Sequence, residues 1–163
     1  GLGDVYKRQH NISLPAGQFG TGDVDALFCG TLDCCKHPSY QDLEGLRVSS
    51  HFFIDRSGRL FQYVSCLDRA WHAGVSSYEG RENCNDFSIG VELEGTDSAP
   101  YEQAQYETLG RLTDALAEAY PIKYVTGHSM IAPLRKTDPG PAFDWLTYES
   151  LCKTGKPLCF PYV

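Results

Sequence analysis

The chain has 163 residues, a length that fits one globular domain able to bury about two thirds of its unfolded surface. Its net charge of −7 argues against a nucleic-acid partner, because phosphate backbones bind basic surfaces. It contains no run of about 18 apolar residues, so we predict that it does not span a membrane.

The cysteines bear on the cellular compartment and on metal binding. There are seven, an odd number, and no two of them have CxxC spacing. Secreted disulfide frameworks favour even counts in smaller chains, and a thiolate zinc site needs two CxxC-like hairpins. We therefore expect reduced cysteines that pack as small hydrophobic residues. A structural-zinc or metal-free protein stays an alternative, with the cysteine count as its support.

The first half of the chain predicts a helix and a β-hairpin. Residues 23–35 place apolar side chains on one helical face, with Thr21 or Asp23 as the cap. Residues 47–64 predict two strands joined at Arg-Ser-Gly-Arg, where glycine permits a positive φ. Residues 70–86 follow as a loop rich in Gly, Ser and Asn.

The second half alternates strands with helices. Residues 87–95 predict a strand whose Glu92 faces away from its aliphatic side chains. A helix over 101–120 precedes a short strand over 122–126, and Asp144 is placed to cap a last helix. This alternation predicts an α/β fold, with a mixed central β-sheet flanked by helices in a single domain.

Two histidines and one aspartate are candidate metal ligands. His128 directly follows a predicted strand, and open α/β sheets bind their ligands at the ends of strands. His10 lies beside the polar residue Asn11. Asp138 lies in a loop stiffened by prolines, so its carboxylate loses little entropy when it is fixed. Two neutral imidazoles and a carboxylate make a zinc site with a fourth position open for water. Asp138 as an ordinary turn residue explains the spacing equally well.

Glu92 and Lys136 are candidates for proton transfer and charge stabilisation. Glutamate is disfavoured in strands, so Glu92 indicates either a solvated face or a cleft. Lys136 stands two residues before Asp138, where it either directs a positive charge at the same centre or lies in solvent. Together with the three candidate ligands they form a constellation that supplies what a hydrolytic zinc site needs, a proton carrier and a charge for the oxyanion.

Long collinear segments, among them HNISLPAGQFG and TGHSMIAPLRKTDPGPAFDW, closely resemble the AmpD-type 1,6-anhydro-N-acetylmuramyl-L-alanine amidases. These enzymes belong to the zinc amidase superfamily that includes phage amidase lysozymes and peptidoglycan recognition proteins. The resemblance extends from His10 to about Leu151. It implies a mixed sheet flanked by helices, one zinc ion, and hydrolysis of the bond between the muramyl lactyl group and L-alanine.

The resemblance also implies roles for individual residues. Its zinc ligands fall on His10, His128 and Asp138. Its catalytic glutamate falls on Glu92, which would accept the proton of the attacking water and return it to the leaving amine. Its catalytic lysine falls on Lys136, which would stabilise the oxyanion.

Substrate contacts are expected at three further residues. Trp71 either stacks on the sugar or peptide or packs in the core, while Asn11 and Arg47 fit a role in binding the peptide carboxylates. We expect a cytoplasmic monomer that acts on muropeptides in cell-wall recycling, with no nucleic-acid or membrane partner. The alternatives are an exported or phage amidase that acts on intact peptidoglycan, and a module that binds muropeptides without cutting them. The complete ligand set argues against the binding module.

Three stretches depart from the family pattern. Met130 stands where the family usually has aspartate, which predicts weaker outer support of the zinc site. Residues 1–9 carry charges where the family has an apolar strand, so we interpret them as a non-native or truncated leader. Residues 1–6 are then expected to be poorly ordered or paired only at a sheet edge. The zinc amidase domain spans 10–152, and residues 153–163 form a C-terminal tail.

Overall fold

The computed structural model describes residues 5–70, 77–78, 81–82 and 88–161, and the statements below concern these residues. Its strands are β1 (Val5–Ile12), β2 (Phe52–Ile54), β3 (Leu60–Gln62), β4 (Ser77–Tyr78), β5 (Arg81–Glu82), β6 (Ser88–Glu94) and β7 (Ile122–Gly127). Five of them form a central sheet in the order β3-β2-β6-β1-β7. In this sheet β2, β6, β1 and β7 are parallel and β3 is antiparallel to β2, while β4 and β5 form a separate antiparallel pair.

The helices are α1 (Asp23–Cys29), α2 (Gln103–Ala119), α3 (His128–Ile131) and α4 (Trp145–Leu151), with a 3-10 helix at Pro38–Leu43. The first helix is shorter than predicted because Gly30 adopts φ 74°, a left-handed conformation that ends it. A capping box between Glu102 and Gln105 begins α2. The Asp144 carboxylate accepts a hydrogen bond from the Thr147 amide and caps α4, as predicted.

The hydrophobic core lies on one face of the sheet. Ile89, Val91 and Leu93 of β6 are buried there and pack in one cluster with the apolar stripe of α2. In that stripe Leu109, Leu112 and Leu116 are buried as predicted, whereas Ala119 is exposed. The predicted α/β fold with a mixed central sheet is confirmed, and the opposite face of β6 carries Ser88, Glu92 and Glu94.

The central strand β1 is unusually polar. It lies between β6 and β7 from Tyr6 onwards, whereas Val5 pairs with β7 alone, so the expectation of edge pairing is wrong for Tyr6. The pairing forms because parallel main-chain hydrogen bonds do not depend on the side chains. Lys7, Arg8 and Gln9 are fully buried in consequence. The interpretation of residues 1–9 as a non-native leader stays a prediction.

Residues 153–161 pack against the domain. Cys159 bridges to Tyr124 at the outer edge of β7, and the Phe160 ring lies 5.4 Å from that of Tyr148. The Asp114 carboxylate accepts hydrogen bonds from the main-chain N–H groups of Lys153 and Thr154. The predicted tail is therefore in contact with the sheet and with α2.

The state of the cysteines and the length of the helices bear on two of the expectations from the sequence. The six described cysteines are free, and Cys84 lies outside the described residues. Among the described helices, none combines the length and apolar character that crossing a membrane requires.

Candidate metal centre and active site

Three parallel strands bring the candidate residues together on the sheet face opposite α2. His10 in β1 is the register partner of Glu92 in β6, so their side chains share one face. His128 directly follows β7, the other neighbour of β1. The carboxyl ends of parallel strands meet at one edge of a sheet, which is where ligands bind in such folds.

The side chains of His10, His128 and Asp138 converge on one point. His10 Nδ1 lies 3.0 Å from His128 Nδ1 and 3.1 Å from Asp138 Oδ2, and the third edge of this triangle is 3.2 Å. A tetrahedral zinc with ligand distances of about 2.0–2.1 Å separates its ligand atoms by about 3.3 Å. The triangle is thus close to what zinc needs, and the three residues are a candidate metal site.

The electrostatics of the triangle agree with a ligand set. Burial of His10 lowers its pKa to about 4, which keeps the imidazole neutral and able to coordinate a cation. Burial alone would raise the pKa of Asp138, but hydrogen bonds to His10 and His128 outweigh it, so the pKa lies well below its usual range. At neutral pH the site offers the neutral imidazole nitrogen of His10 and the carboxylate of Asp138, with the Nδ1 atom of His128 beside them.

Glu92 lines the same cleft, which has a volume of about 800 Å³. Glu92 is only 8% exposed. Of the two alternatives for this residue, a position in a cleft is therefore right and a solvated strand face is wrong. Burial and the negative charge of Asp138 raise the pKa of Glu92 well above its ordinary value, while the Lys136 ammonium lowers it. Lys136 is half-buried and also lines the cleft, so its ammonium charge acts on the Glu92 carboxyl.

The loop that carries Asp138 is held by polar contacts that the sequence alone does not predict. Asn11 Nδ2 donates to Asp97 Oδ1 at 2.7 Å and to the Pro139 carbonyl at 3.2 Å. Asp97 also accepts from the Thr137 hydroxyl. The sequence offers one indication of Asp97: it is a polar residue just beyond the carboxyl end of a parallel strand, where functional residues lie in such folds.

The remaining predicted residues fall in different places. Asn11 lines the cleft, but its amide protons are used within the protein, so its predicted contact with a substrate carboxylate stays a prediction. Arg47 is exposed in an adjoining groove of about 490 Å³. Trp71 lies outside the described residues. Met130 is half-buried, and the Thr126 hydroxyl donates to its sulfur at 3.3 Å. Its predicted effect on the support of the zinc site stays a prediction.

The fold and the three converging side chains define an α/β protein with a candidate metal site at the carboxyl edge of its sheet. Residues 22–141 match the family model described as N-acetylmuramoyl-L-alanine amidase. The chain belongs to this amidase family.

Two individual members of this family match the chain over most of its length. The 1,6-anhydro-N-acetylmuramyl-L-alanine amidase AmpD of Escherichia coli (strain K12) is 58% identical over 144 residues, which cover 87% of this chain and 79% of the relative. A crystal structure of a selenomethionine derivative of AmpD superposes with a TM-score of 0.88 at 53% identity, covering 92% of this chain and 85% of that one.

A third similarity is to a substrate complex. The amidase AmiD of E. coli bound to anhydro-N-acetylmuramic acid-L-Ala-D-γ-Glu-L-Lys superposes with a TM-score of 0.71 at 29% identity. The match covers 93% of this chain and 58% of that one.

Proposed function

We propose that this protein is a zinc-dependent amidase that hydrolyses the bond between 1,6-anhydro-N-acetylmuramic acid and L-alanine in muropeptides. The observation that carries the proposal is the triangle of His10, His128 and Asp138 beside a buried Glu92 in one cleft. High identity to AmpD over most of both chains supports the choice of substrate.

The metal has a defined place in this proposal. His10, His128 and Asp138 would hold one zinc ion, because three neutral or anionic ligands leave the fourth tetrahedral position open. When bound, zinc acidifies water and polarises a carbonyl group.

Glu92 is proposed as the proton carrier. Its buried carboxylate can accept the proton of a water molecule in the cleft and return it to the amine of the leaving L-alanine. Its raised pKa makes it a better proton acceptor than an exposed glutamate, because base strength follows pKa.

Lys136 is proposed as the cation that stabilises the developing oxyanion. A positioned donor of this kind contributes about 3–4 kcal/mol to the transition state in comparable sites. Its influence on the pKa of Glu92 supports its closeness to the reacting atoms.

The proposed setting is cell-wall recycling in the cytoplasm, with muropeptides as the partner and a monomer as the working state. The relatives at 50–58% identity are named for the 1,6-anhydro substrate, which supports the recycling role over an amidase of intact peptidoglycan. Asn11, Arg47 and Trp71 remain the proposed substrate contacts.

The test measures metal and product together. The purified protein should contain one zinc by mass spectrometry and release the L-alanine-terminated peptide from an anhydromuropeptide. Exhaustive dialysis against a chelator should abolish the release, and added zinc should restore it. Full activity in metal-free protein would refute the metal mechanism. Equal rates on intact sacculi and on anhydromuropeptide would favour the peptidoglycan amidase instead.

A further inference from the structure

The carboxylate of Asp97 links the neighbours of two candidate ligands. Its Oδ1 accepts from Asn11 Nδ2 at 2.7 Å, and its Oδ2 accepts from the Thr137 hydroxyl. Asn11 directly follows His10, and Thr137 directly precedes Asp138. One side chain thus joins two ligand positions that lie 128 residues apart in the sequence.

The main chain of the ligand loop is also fastened to Asp97. The Ala142 amide donates to the Asp97 carbonyl at 3.1 Å. Gly140 adopts φ +84°, and a Cβ atom there would lie 2.4 Å from Asp97 Cα, so the two backbones meet at a distance that only glycine permits. The Pro139 carbonyl accepts from Asn11 and, at 2.7 Å, from the Tyr101 hydroxyl.

The third candidate ligand belongs to the same assembly. The Ser129 amide, next to His128, donates to the Asp138 carbonyl at 2.9 Å. The loop is therefore anchored on one side to α3 and on the other side to Asp97. Without the Asp97 carboxylate, the Thr137 hydroxyl and one proton of the Asn11 amide would lose their acceptor. The loop would keep the contacts of its Pro139 carbonyl and its main-chain bond to Asp97 on that side, and no side chain would then join Thr137 to Asn11.

We propose that Asp97 is a positioning residue for the metal centre, which holds the Asp138 carboxylate against His10 before the ion binds. This inference rests on the proposed metal function. A loop that is already ordered loses little conformational entropy when the cation arrives, so its affinity is higher than that of a loop ordered by binding. Groups that orient metal ligands in this way typically change affinity about 10–100-fold when removed.

The experiment compares zinc dissociation constants by competition with a chromogenic chelator. Asp97→Ala should bind zinc about 10–100-fold more weakly than the unaltered chain. Asp97→Asn should lose less, because its oxygen still accepts from Asn11 and its amide can donate to the Thr137 hydroxyl. The matched control is Asp114→Ala, which removes another half-buried carboxylate that fastens a segment outside the cleft. It should lower the melting temperature and leave zinc affinity unchanged.

The outcomes separate this inference from the function on which it rests. If the unaltered chain binds no zinc, the proposed metal function fails. If it binds zinc and Asp97→Ala binds it within twofold as tightly, the positioning role is overturned. Should Asp97→Ala fail to fold, Thr137→Val removes a single contact of the same carboxylate. Weaker zinc binding by that variant supports the role, and unchanged binding refutes it.

Discussion

Replacing Lys7 by methionine should stabilise the protein at neutral pH. Lys7 is fully buried in the central strand, and its Nζ donates to Gln9 Oε1 at 3.0 Å and to the Tyr148 hydroxyl at 2.9 Å. Both acceptors are neutral, so neither hydrogen bond brings a negative charge to the buried ammonium. Burial accordingly lowers the pKa of Lys7 from 10.5 to about 7.

The magnitude follows from that pKa. Each pH unit between the folded and unfolded values corresponds to about 1.4 kcal/mol, so the charged lysine costs the native state about 5 kcal/mol below pH 7. Methionine removes this cost, but it leaves Gln9 and Tyr148 without the Lys7 donor, at about 1–3 kcal/mol. The Tyr148 hydroxyl keeps its contact with Thr113 at 2.6 Å. The expected net gain in the free energy of unfolding is about 2–4 kcal/mol at pH 7.

The sign of the pH dependence is specific. Between pH 7 and 10.5 the unfolded chain keeps the Lys7 proton and the native state has lost it, so the unaltered protein gains stability as pH rises. The variant lacks this slope, and its advantage should shrink steadily from pH 7 to pH 10. Cys152 interacts with the charge of Lys7, but burial raises the pKa of its thiol to about 11, above the range compared, so the difference between the two proteins reports on Lys7.

The assay is urea unfolding at pH 7, 8, 9 and 10, with Lys123→Met as the control. Lys123 is an exposed lysine on the adjacent strand β7, and its replacement should change stability by no more than about 0.5 kcal/mol. A Lys7→Met advantage that stays constant from pH 7 to pH 10 would refute the reasoning from burial. A variant less stable than the unaltered chain at pH 7 would refute it as well.

Three further predictions concern the cleft and a helix terminus. Glu92→Gln should keep zinc affinity nearly intact and lower kcat by about two to four decades, the usual contribution of a positioned acid or base; loss of the metal instead would make Glu92 a ligand or a support. Lys136→Met should lower kcat about 10²–10³-fold at saturating zinc with a small change in KM, measured by steady-state kinetics, and a change in KM alone would contradict its oxyanion role. Asp144→Ala removes the cap that accepts from the Thr147 amide and should lower the free energy of unfolding by about 1 kcal/mol without affecting zinc binding; denaturant midpoints test this.

The local sequence identified most elements, because periodicity and capping act over a few residues. The hairpin around Arg-Ser-Gly-Arg, the strand of Glu92 and the cap at Asp144 are found as predicted. The first helix ends earlier than its periodic pattern predicts, because the left-handed Gly30 interrupts a pattern that continues beyond it. The central place of the polar strand β1 does not follow from its own sequence, because its partners β6 and β7 are distant in the chain and decide whether it lies at the centre or the edge.

For the candidate site, too, the local sequence predicts one part and the tertiary structure determines the other. By itself the sequence supplied the residue types for a metal site and left open whether Asp138 was a ligand or a turn residue and whether Glu92 met solvent. Tertiary structure buries Glu92 in the cleft and brings Asp138 within 3.2 Å of both histidines, since parallel pairing of β1 with β6 and β7 places His10 beside His128, 118 residues away. It alone revealed Asp97, because a carboxylate that works by joining two distant segments leaves no periodic trace in either. Side-chain chemistry is local to the chain, whereas the distances that turn it into a site are set by the fold.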